Sequence, residues 1–198
     1  MHAHFLNAKS QLLFAKTLHD LAAPLGALNL CIDDIKQALP DSADLIESSI
    51  ESLSKRINYW RIMLTGQESS PNFADAATAI RALAKLKTVE VAFCDANEYQ
   101  GVYVRLLLAL SMVAIESLPR GGKVIIDADK GLVTAQAAEG AKCFIPKEMA
   151  EAIVSEILNP TSRHALGVLI YDLAKSCNAL VKLDHEPNKL ALALCVGV

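Results

Sequence analysis

A heptad pattern of apolar residues in the first third of the chain constrains the fold more than any other feature. The spacing is four residues, then alternately three and four, at Phe14, Leu18, Leu21, Leu25, Leu28, Ile32, Ile35 and Leu39. This spacing keeps every apolar side chain on one stripe of a helix. It predicts a helix over about residues 7–39, roughly 50 Å long at the usual helical rise.

A second heptad helix follows after a very short connection. Pro40, Asp41 and Ser42 predict a turn and a helix N-cap, and the apolar stripe then resumes at Ile46, Ile50, Leu53, Ile57, Trp60 and Leu64. Two helices joined so closely pack antiparallel, as a helical hairpin. A hairpin buries only one side of each helix, and a second copy of the chain supplies the missing partners most simply. We therefore expect a four-helix bundle in a homodimer; the alternative is an arm that folds back onto the same chain.

The rest of the chain has a mixed pattern. Residues 67–74 are polar and predict a linker between a hairpin domain, 1–66, and a second domain, 75–198. In the second domain, helices are predicted over 75–87, 103–118, 147–158 and 162–178, and strands over 89–93, 123–128, 132–138, 180–184 and 190–196. This order predicts an α+β sandwich, one sheet covered on one face by helices.

Charge and composition exclude several classes of function. The chain has 198 residues, 19 of them basic and 22 acidic, and a net charge of −3, which argues against binding nucleic acid. The longest apolar stretch, 106–115, is too short to span a bilayer, and residues 1–4 (MHAH) do not open an export signal. The five cysteines are too widely spaced for a metal site and predict reduced thiols in a cytoplasmic protein.

One histidine is a candidate nucleophile. His19 follows the heptad residue Leu18 and so lies on the solvent face of the first helix. The residues that share its face are small or flexible: Ala15, Lys16, Ala22 and Ala23. They leave the imidazole open to a large group on a partner protein. Asp20 is placed to hold one ring nitrogen in its N–H form, which leaves the other nitrogen as the nucleophile.

The helix is interrupted just beyond this histidine. Pro24 removes the backbone hydrogen bond to the carbonyl of Asp20, and Gly26 weakens the same turn. The break is either a packing irregularity or part of a site. Antiparallel pairing sets His19 level with Ile62 or Met63, next to Arg61, which is either a solvated surface residue or an electrostatic clamp on the imidazole.

These residues resemble a known family. Residues 18–28 (LHDLAAPLGAL) resemble the phosphoacceptor box of two-component histidine kinases, and more closely that of ChpT-like histidine phosphotransferases. Residues 59–66 (YWRIMLTG) are similar to the end of that family's second helix. Residues 107–122 resemble the N box of a kinase ATP-binding domain, and residues 166–170 resemble its G2 box. The resemblance spans nearly the whole chain.

The departures from the kinase pattern are informative. Ala109 and Val113 stand where a kinase has the two asparagines that bind Mg-ATP, and residues 136–141 (QAAEGA) replace the motif that reads adenine. Alanine and valine offer no ligand atom to a divalent cation. The resemblance therefore implies a degenerate ATP-binding domain without nucleotide binding or autophosphorylation, and without a metal or cofactor of its own.

The resemblance also implies a function. A phosphotransferase of this family passes a phosphoryl group between the aspartates of two receiver domains, one on a hybrid kinase and one on a downstream regulator, through His19. Asp20 would orient the imidazole, Lys16 and Arg61 would hold the phosphoryl oxygens, and Ala23 would contact the partner. The Mg²⁺ would belong to the receiver. The alternatives are an active kinase core, a non-catalytic dimeric adaptor or regulator of a two-component system, and an α+β domain without chemistry.

Overall fold

The computed structural model describes residues 21–22, 25–29, 31–32, 35–36, 40–64, 71–94, 99 and 101–196. From residue 40 onward its α-helices are α1 Pro40–Leu64, α2 Phe73–Lys85, α3 Val102–Glu116, α4 Lys147–Val154 and α5 Ala165–Ser176. Its strands are β1 Val89–Cys94, β2 Gly122–Asp127, β3 Leu132–Ala137, β4 Ala179–Glu186 and β5 Lys189–Val196. The described part of the chain is therefore an α+β fold with one mixed sheet.

The five strands lie in the order β1-β2-β3-β5-β4. β1 pairs parallel with β2, and the other pairs are antiparallel. Inward positions alternate along the strands, so that Val124, Ile126, Val133 and Ala135 are buried while Lys123 and Gln136 are exposed. This period of two gives the sheet one apolar face. The helices α2, α3 and α5 contact the sheet, and α3 is buried along nearly its whole length, in keeping with its mostly apolar sequence.

Some predicted element ends were wrong. The helix predicted over 147–158 ends at Val154, because Ser155 adopts an extended backbone and its hydroxyl donates to the carbonyl of Glu151 at 2.8 Å. The residues predicted as a turn, 40–42, form the start of α1, which begins at Pro40. Proline is favoured at the first helical position because it has no N–H to leave unpaired there.

The end of α1 is packed into the core of the second domain. Tyr59, Met63 and Leu64 are buried in the cluster that contains α2 and α3. The hydroxyl of Tyr59 donates to the carbonyl of Leu108 on α3 at 2.5 Å. Burial holds the pKa of this hydroxyl well above its usual value, and the charge of Glu116 raises it further. α2 begins at Phe73, where the side chain of Asn72 accepts a hydrogen bond from the backbone N–H of Asp75.

The described residues before α1 contact it. Residues 21–22, 25–29, 32 and 35–36 are helical. Leu25 packs in a small apolar cluster with Ile50 and Ile57, and Lys36 forms an ion pair with Glu47 at 2.7 Å. These contacts are those that antiparallel pairing of two helices produces. In the part of the chain that the structure describes, no helix is both long and apolar enough to cross a membrane.

One residue in the connection from α2 to β1 has a strained backbone. Thr88 has φ +54°, a left-handed conformation that a β-branched residue adopts only at a cost of about 1–2 kcal/mol. We expect Thr88→Gly to raise the free energy of unfolding by about 0.5–1 kcal/mol, because glycine adopts this conformation without steric conflict. Urea denaturation would measure the gain. Thr134→Gly in β3 is the matched control, and it should lower stability, since the strand interior disfavours glycine.

Candidate functional site

Four of the predicted site residues lie outside the described residues. They are Lys16, His19, Asp20 and Ala23, and with them Pro24. The structure does describe Leu21, Ala22 and residues 25–29, which are close to them in sequence. It also describes the end of α1, which the sequence predicts to lie level with the histidine.

Arg61 is an exposed residue in the last turn of α1. Its Nη2 donates to the Oδ1 of Asn58, one turn earlier, at 2.9 Å. Tyr59 and Met63 lie on the opposite side of the helix, buried against the second domain. Arg61 therefore presents its guanidinium away from the core, with donors to spare for an anionic group, because a guanidinium has five N–H groups.

The heptad residues of the two paired segments divide into a buried row and an exposed row. Leu25, Ile50 and Ile57 are at most 8% exposed, whereas Leu21, Leu28 and Leu53 are 47–48% exposed. Leu21 and Leu28 are one heptad apart. Side chains one heptad apart lie on the same stripe of a helix, so the exposed leucines form an apolar row on the outside of the pair.

The residues that match the kinase nucleotide site are packed in the core. Ala109 and Val113 are 0% and 1% exposed on α3, which contacts α5. Gly167, in the segment that resembles the G2 box, lies on α5 directly against α4. A Cβ built on Gly167 would lie 2.7 Å from the Cβ of Ala152 and 2.7 Å from the carbonyl oxygen of Met149. This glycine allows two helices to approach closely.

The described histidines make hydrogen-bond contacts within the second domain, and the cysteines form no disulfide. Nδ1 of His164 accepts a hydrogen bond from the backbone N–H of Thr161 at 3.1 Å and caps the short 3₁₀ turn before α5. Nε2 of His185 lies 3.3 Å from the carbonyl oxygen of Cys143. The five cysteines are free thiols. Within the described ranges, no three His, Cys, Asp or Glu side chains are grouped as a metal site would require.

Sequence reasoning did not find two features of the described chain. One is the hydrogen bond from Tyr59 that joins α1 to α3, and the other is an open cavity at the ends of β1, β2 and β3 that Lys85 and Lys123 line. Tyr59 precedes the heptad residue Trp60 in the sequence, and no sequence pattern predicts its hydrogen bond to Leu108. The cavity combines residues from three stretches of the chain that are distant in sequence.

Comparison with solved structures supports this fold through one neighbour, and two others are similar to a lesser degree. A structure described as a bacterial phosphotransferase matches 96% of this chain and 98% of its own, with a TM-score of 0.71 and 16% identity. Full-length ShkA in complex with AMPPNP matches 93% of this chain and 46% of its own, at 13% identity and a TM-score of 0.46. The histidine kinase domain from Erythrobacter litoralis matches 85% and 94%, at 11% identity and a TM-score of 0.47.

Sequence comparison identifies the family. No curated protein matches the chain. The model of the histidine phosphotransferase C-terminal domain matches residues 73–189, which is more than half of the chain and nearly all of the second domain. The resemblance inferred from the phosphoacceptor box and the degenerate kinase motifs is thereby confirmed. The chain belongs to the histidine phosphotransferase family.

Proposed function

We propose that this protein carries a phosphoryl group between two receiver domains of a two-component phosphorelay, with His19 as the carrier. The observation that carries the proposal is the family match over residues 73–189. The phosphoacceptor box at residues 18–28 supplies the nucleophile, and Arg61 on α1 supplies an exposed cation. Receiver domains act inside the cell, so we place the protein in the cytoplasm.

The transfer is an in-line displacement. The free nitrogen of neutral His19 attacks the phosphorus of an aspartyl phosphate, the P–N bond forms, and the P–O bond to the aspartate breaks as its carboxylate leaves. A second receiver reverses these steps on its own aspartate. Catalysis of this kind rests on positioning and charge neutralisation. Asp20 would orient the ring, and Lys16 and Arg61 would stabilise the oxygens. The Mg²⁺ would be held by the receiver. The small side chain of Ala23 would leave the receiver room to approach His19.

The assay for this function uses a receiver domain that has been phosphorylated with a labelled phosphodonor and then purified. Incubation with the wild-type protein should move the label onto it as an acid-labile, base-stable adduct, which is the chemistry of phosphohistidine. A second, unlabelled receiver should then remove the label. If none of the receivers encoded with this protein donates a phosphoryl group, the proposal fails.

We further propose that the N-terminal hairpin forms a four-helix bundle in a homodimer. The exposed row of Leu21, Leu28 and Leu53 supports this, because a second hairpin packed on that row would bury all three. Twofold symmetry brings the same row from both copies together.

Leu53→Gln should therefore dissociate the dimer. Burial of one leucine contributes about 1.5–3 kcal/mol, and each substitution counts twice in a symmetric dimer. We expect the dimer dissociation constant to rise about a hundredfold or more. Sedimentation velocity over a concentration series measures it. The control is Leu158→Gln, which changes a leucine that is 87% exposed on the second domain. A monomeric wild-type protein, or equal effects of the two changes, would contradict the bundle.

The second domain is proposed to bind no ATP. Ala109 and Val113 lack side-chain oxygen ligands, and both are buried on α3, which contacts α5. Calorimetric titration with Mg-ATP should show no saturable heat, and incubation with labelled ATP should leave the protein unlabelled. Saturable binding followed by labelling of His19 would instead identify an active kinase core.

A further inference from the structure

An open cavity lies at one end of the sheet, far in sequence from the phosphoacceptor box. Its volume is about 600 Å³. The polar side chains that line it come from three stretches of the chain: Lys85, Thr88 and Glu90 around the connection from α2 to β1, Lys123 on β2 and Gln136 on β3. Small-molecule sites commonly have this size, with a few polar groups converging from different elements.

This cavity is distinct from the region that matches the kinase nucleotide site. Val124 and Ala135 face the helices and are buried, so their neighbours Lys123 and Gln136 lie on the other face of the sheet. Lys123 and Gln136 are paired directly across β2 and β3. Ala109 and Val113 are on α3, which covers the buried face. The cavity is therefore a separate feature of this fold.

Two of the lining residues, Lys85 and Lys123, are exposed cations, and one, Glu90, is an acid. Glu90 is the cross-strand partner of Lys123, but among the described residues neither lysine has a carboxylate within ion-pair distance. Lys130, in the turn between β2 and β3, contrasts with them, because it is paired with Asp127 at 2.8 Å. Two ammonium groups against one carboxylate leave the lining with an excess of one positive charge, which favours an anion.

The backbone around the cavity has an unusual and fixed shape. Thr88, Gly121 and Gly122 have φ of +54°, +78° and +144°. A Cβ on Gly122 would lie 2.2 Å from the carbonyl oxygen of Gln136, and one on Gly121 would lie 2.7 Å from that of Thr88. The three segments are therefore held against each other through their backbones. Residues with a strained backbone, such as Thr88 here, cluster at active sites and ligand-binding sites.

We propose that this cavity binds a small ligand through an oxyanion, a phosphate or a carboxylate, held between Lys85 and Lys123. The hydroxyl of Thr88 and the amide of Gln136 are the neutral donors that line the same wall. Glu90 is placed to accept a hydrogen bond from a hydroxyl or amino group of the ligand. The site is independent of phosphoryl transfer through His19 and gives the degenerate domain a ligand of its own.

The test titrates the ¹⁵N-labelled full chain with inorganic phosphate and, separately, with citrate, at constant ionic strength maintained with NaCl. The backbone amide signals of Thr88, Gly122 and Lys123 should shift and saturate with at least one of the two anions. Lys85→Gln and Lys123→Gln should each raise the dissociation constant about tenfold, the usual effect of losing one charge-assisted hydrogen bond. Lys142→Gln is the matched control, because Lys142 is exposed but does not line the cavity.

Thr88→Gly distinguishes an effect on anion binding from an effect on folding stability. It should weaken anion binding by removing the hydroxyl, although it should stabilise the folded chain. Shifts that rise linearly without saturation for both anions would overturn the proposal. Saturable shifts that are the same in the Lys85 and Lys123 variants as in the Lys142 control would overturn it as well. None of these results depends on whether His19 carries phosphate.

Discussion

His19→Ala is expected to abolish phosphoryl transfer completely, because the nucleophile is absent and no described histidine can replace it. A phosphorylated receiver domain should retain its label in the presence of the variant, whereas the wild-type protein should take the label up within the same period. Gel autoradiography after alkaline treatment measures the adduct, since phosphohistidine survives base and aspartyl phosphate does not. Circular dichroism should show an unchanged fold, because His19 is expected on the solvent face of its helix.

The matched controls are His164→Ala and His185→Ala. His164 caps a turn before α5, and His185 contacts the carbonyl of Cys143, so both are engaged in the second domain. Both variants should accept the label at the wild-type rate. The alternative function, a non-catalytic adaptor, makes the opposite prediction for His19, because an adaptor would keep its activity in cells without this imidazole. An intact cellular response in His19→Ala would therefore favour the adaptor.

Gly167→Ala is expected to destabilise the fold by about 2–3 kcal/mol. The added methyl group would meet the Cβ of Ala152 and the backbone of Met149 at 2.7 Å, so α4 would have to move away from α5. Inserting a methyl group into a close contact with backbone typically costs about 1–3 kcal/mol. The melting temperature should fall by roughly 4–12 °C for a chain of this size. Urea denaturation would give the change in free energy of unfolding.

Gly26→Ala is the matched control for this substitution. Gly26 lies in the helical residues 25–29, and a Cβ built on it has no heavy atom within 4 Å. Alanine is favoured over glycine in a helix by roughly 0.5–1 kcal/mol, so this variant should be as stable as the wild type or more stable. If the two glycine-to-alanine changes had equal effects on unfolding, the close approach of α4 and α5 would be wrong.

The strands and their buried face were predicted well from the sequence, because the alternating pattern that marks a strand is local. Alternation of apolar and polar residues places Val124, Ile126 and Val133 on one face, and the structure buries all three. The turn at residues 129–131 separates β2 and β3 as expected. Strand order and the parallel pairing of β1 with β2 were not predicted, because they depend on contacts between segments distant in sequence.

The phosphoacceptor box can be recognised from the sequence alone, whereas the cavity cannot. Residues 18–28 form a contiguous motif, so His19 and Asp20 could be named from the sequence alone, and both stay predictions. Lys85 and Lys123 are 38 positions apart in the numbering, and each is an ordinary lysine in its own segment. Their shared cavity arises only when β1 and β2 pair in parallel.

The hydrogen bond from Tyr59 to Leu108 has a mechanical consequence. A single uninterrupted helix runs from Pro40 to Leu64, and its last turns are fastened into the same apolar interior as α2 and α3. There is accordingly no flexible connection between this helix and the second domain. We expect a protein that binds the surface of this helix to meet the second domain in one fixed orientation, so that its shape has to fit both.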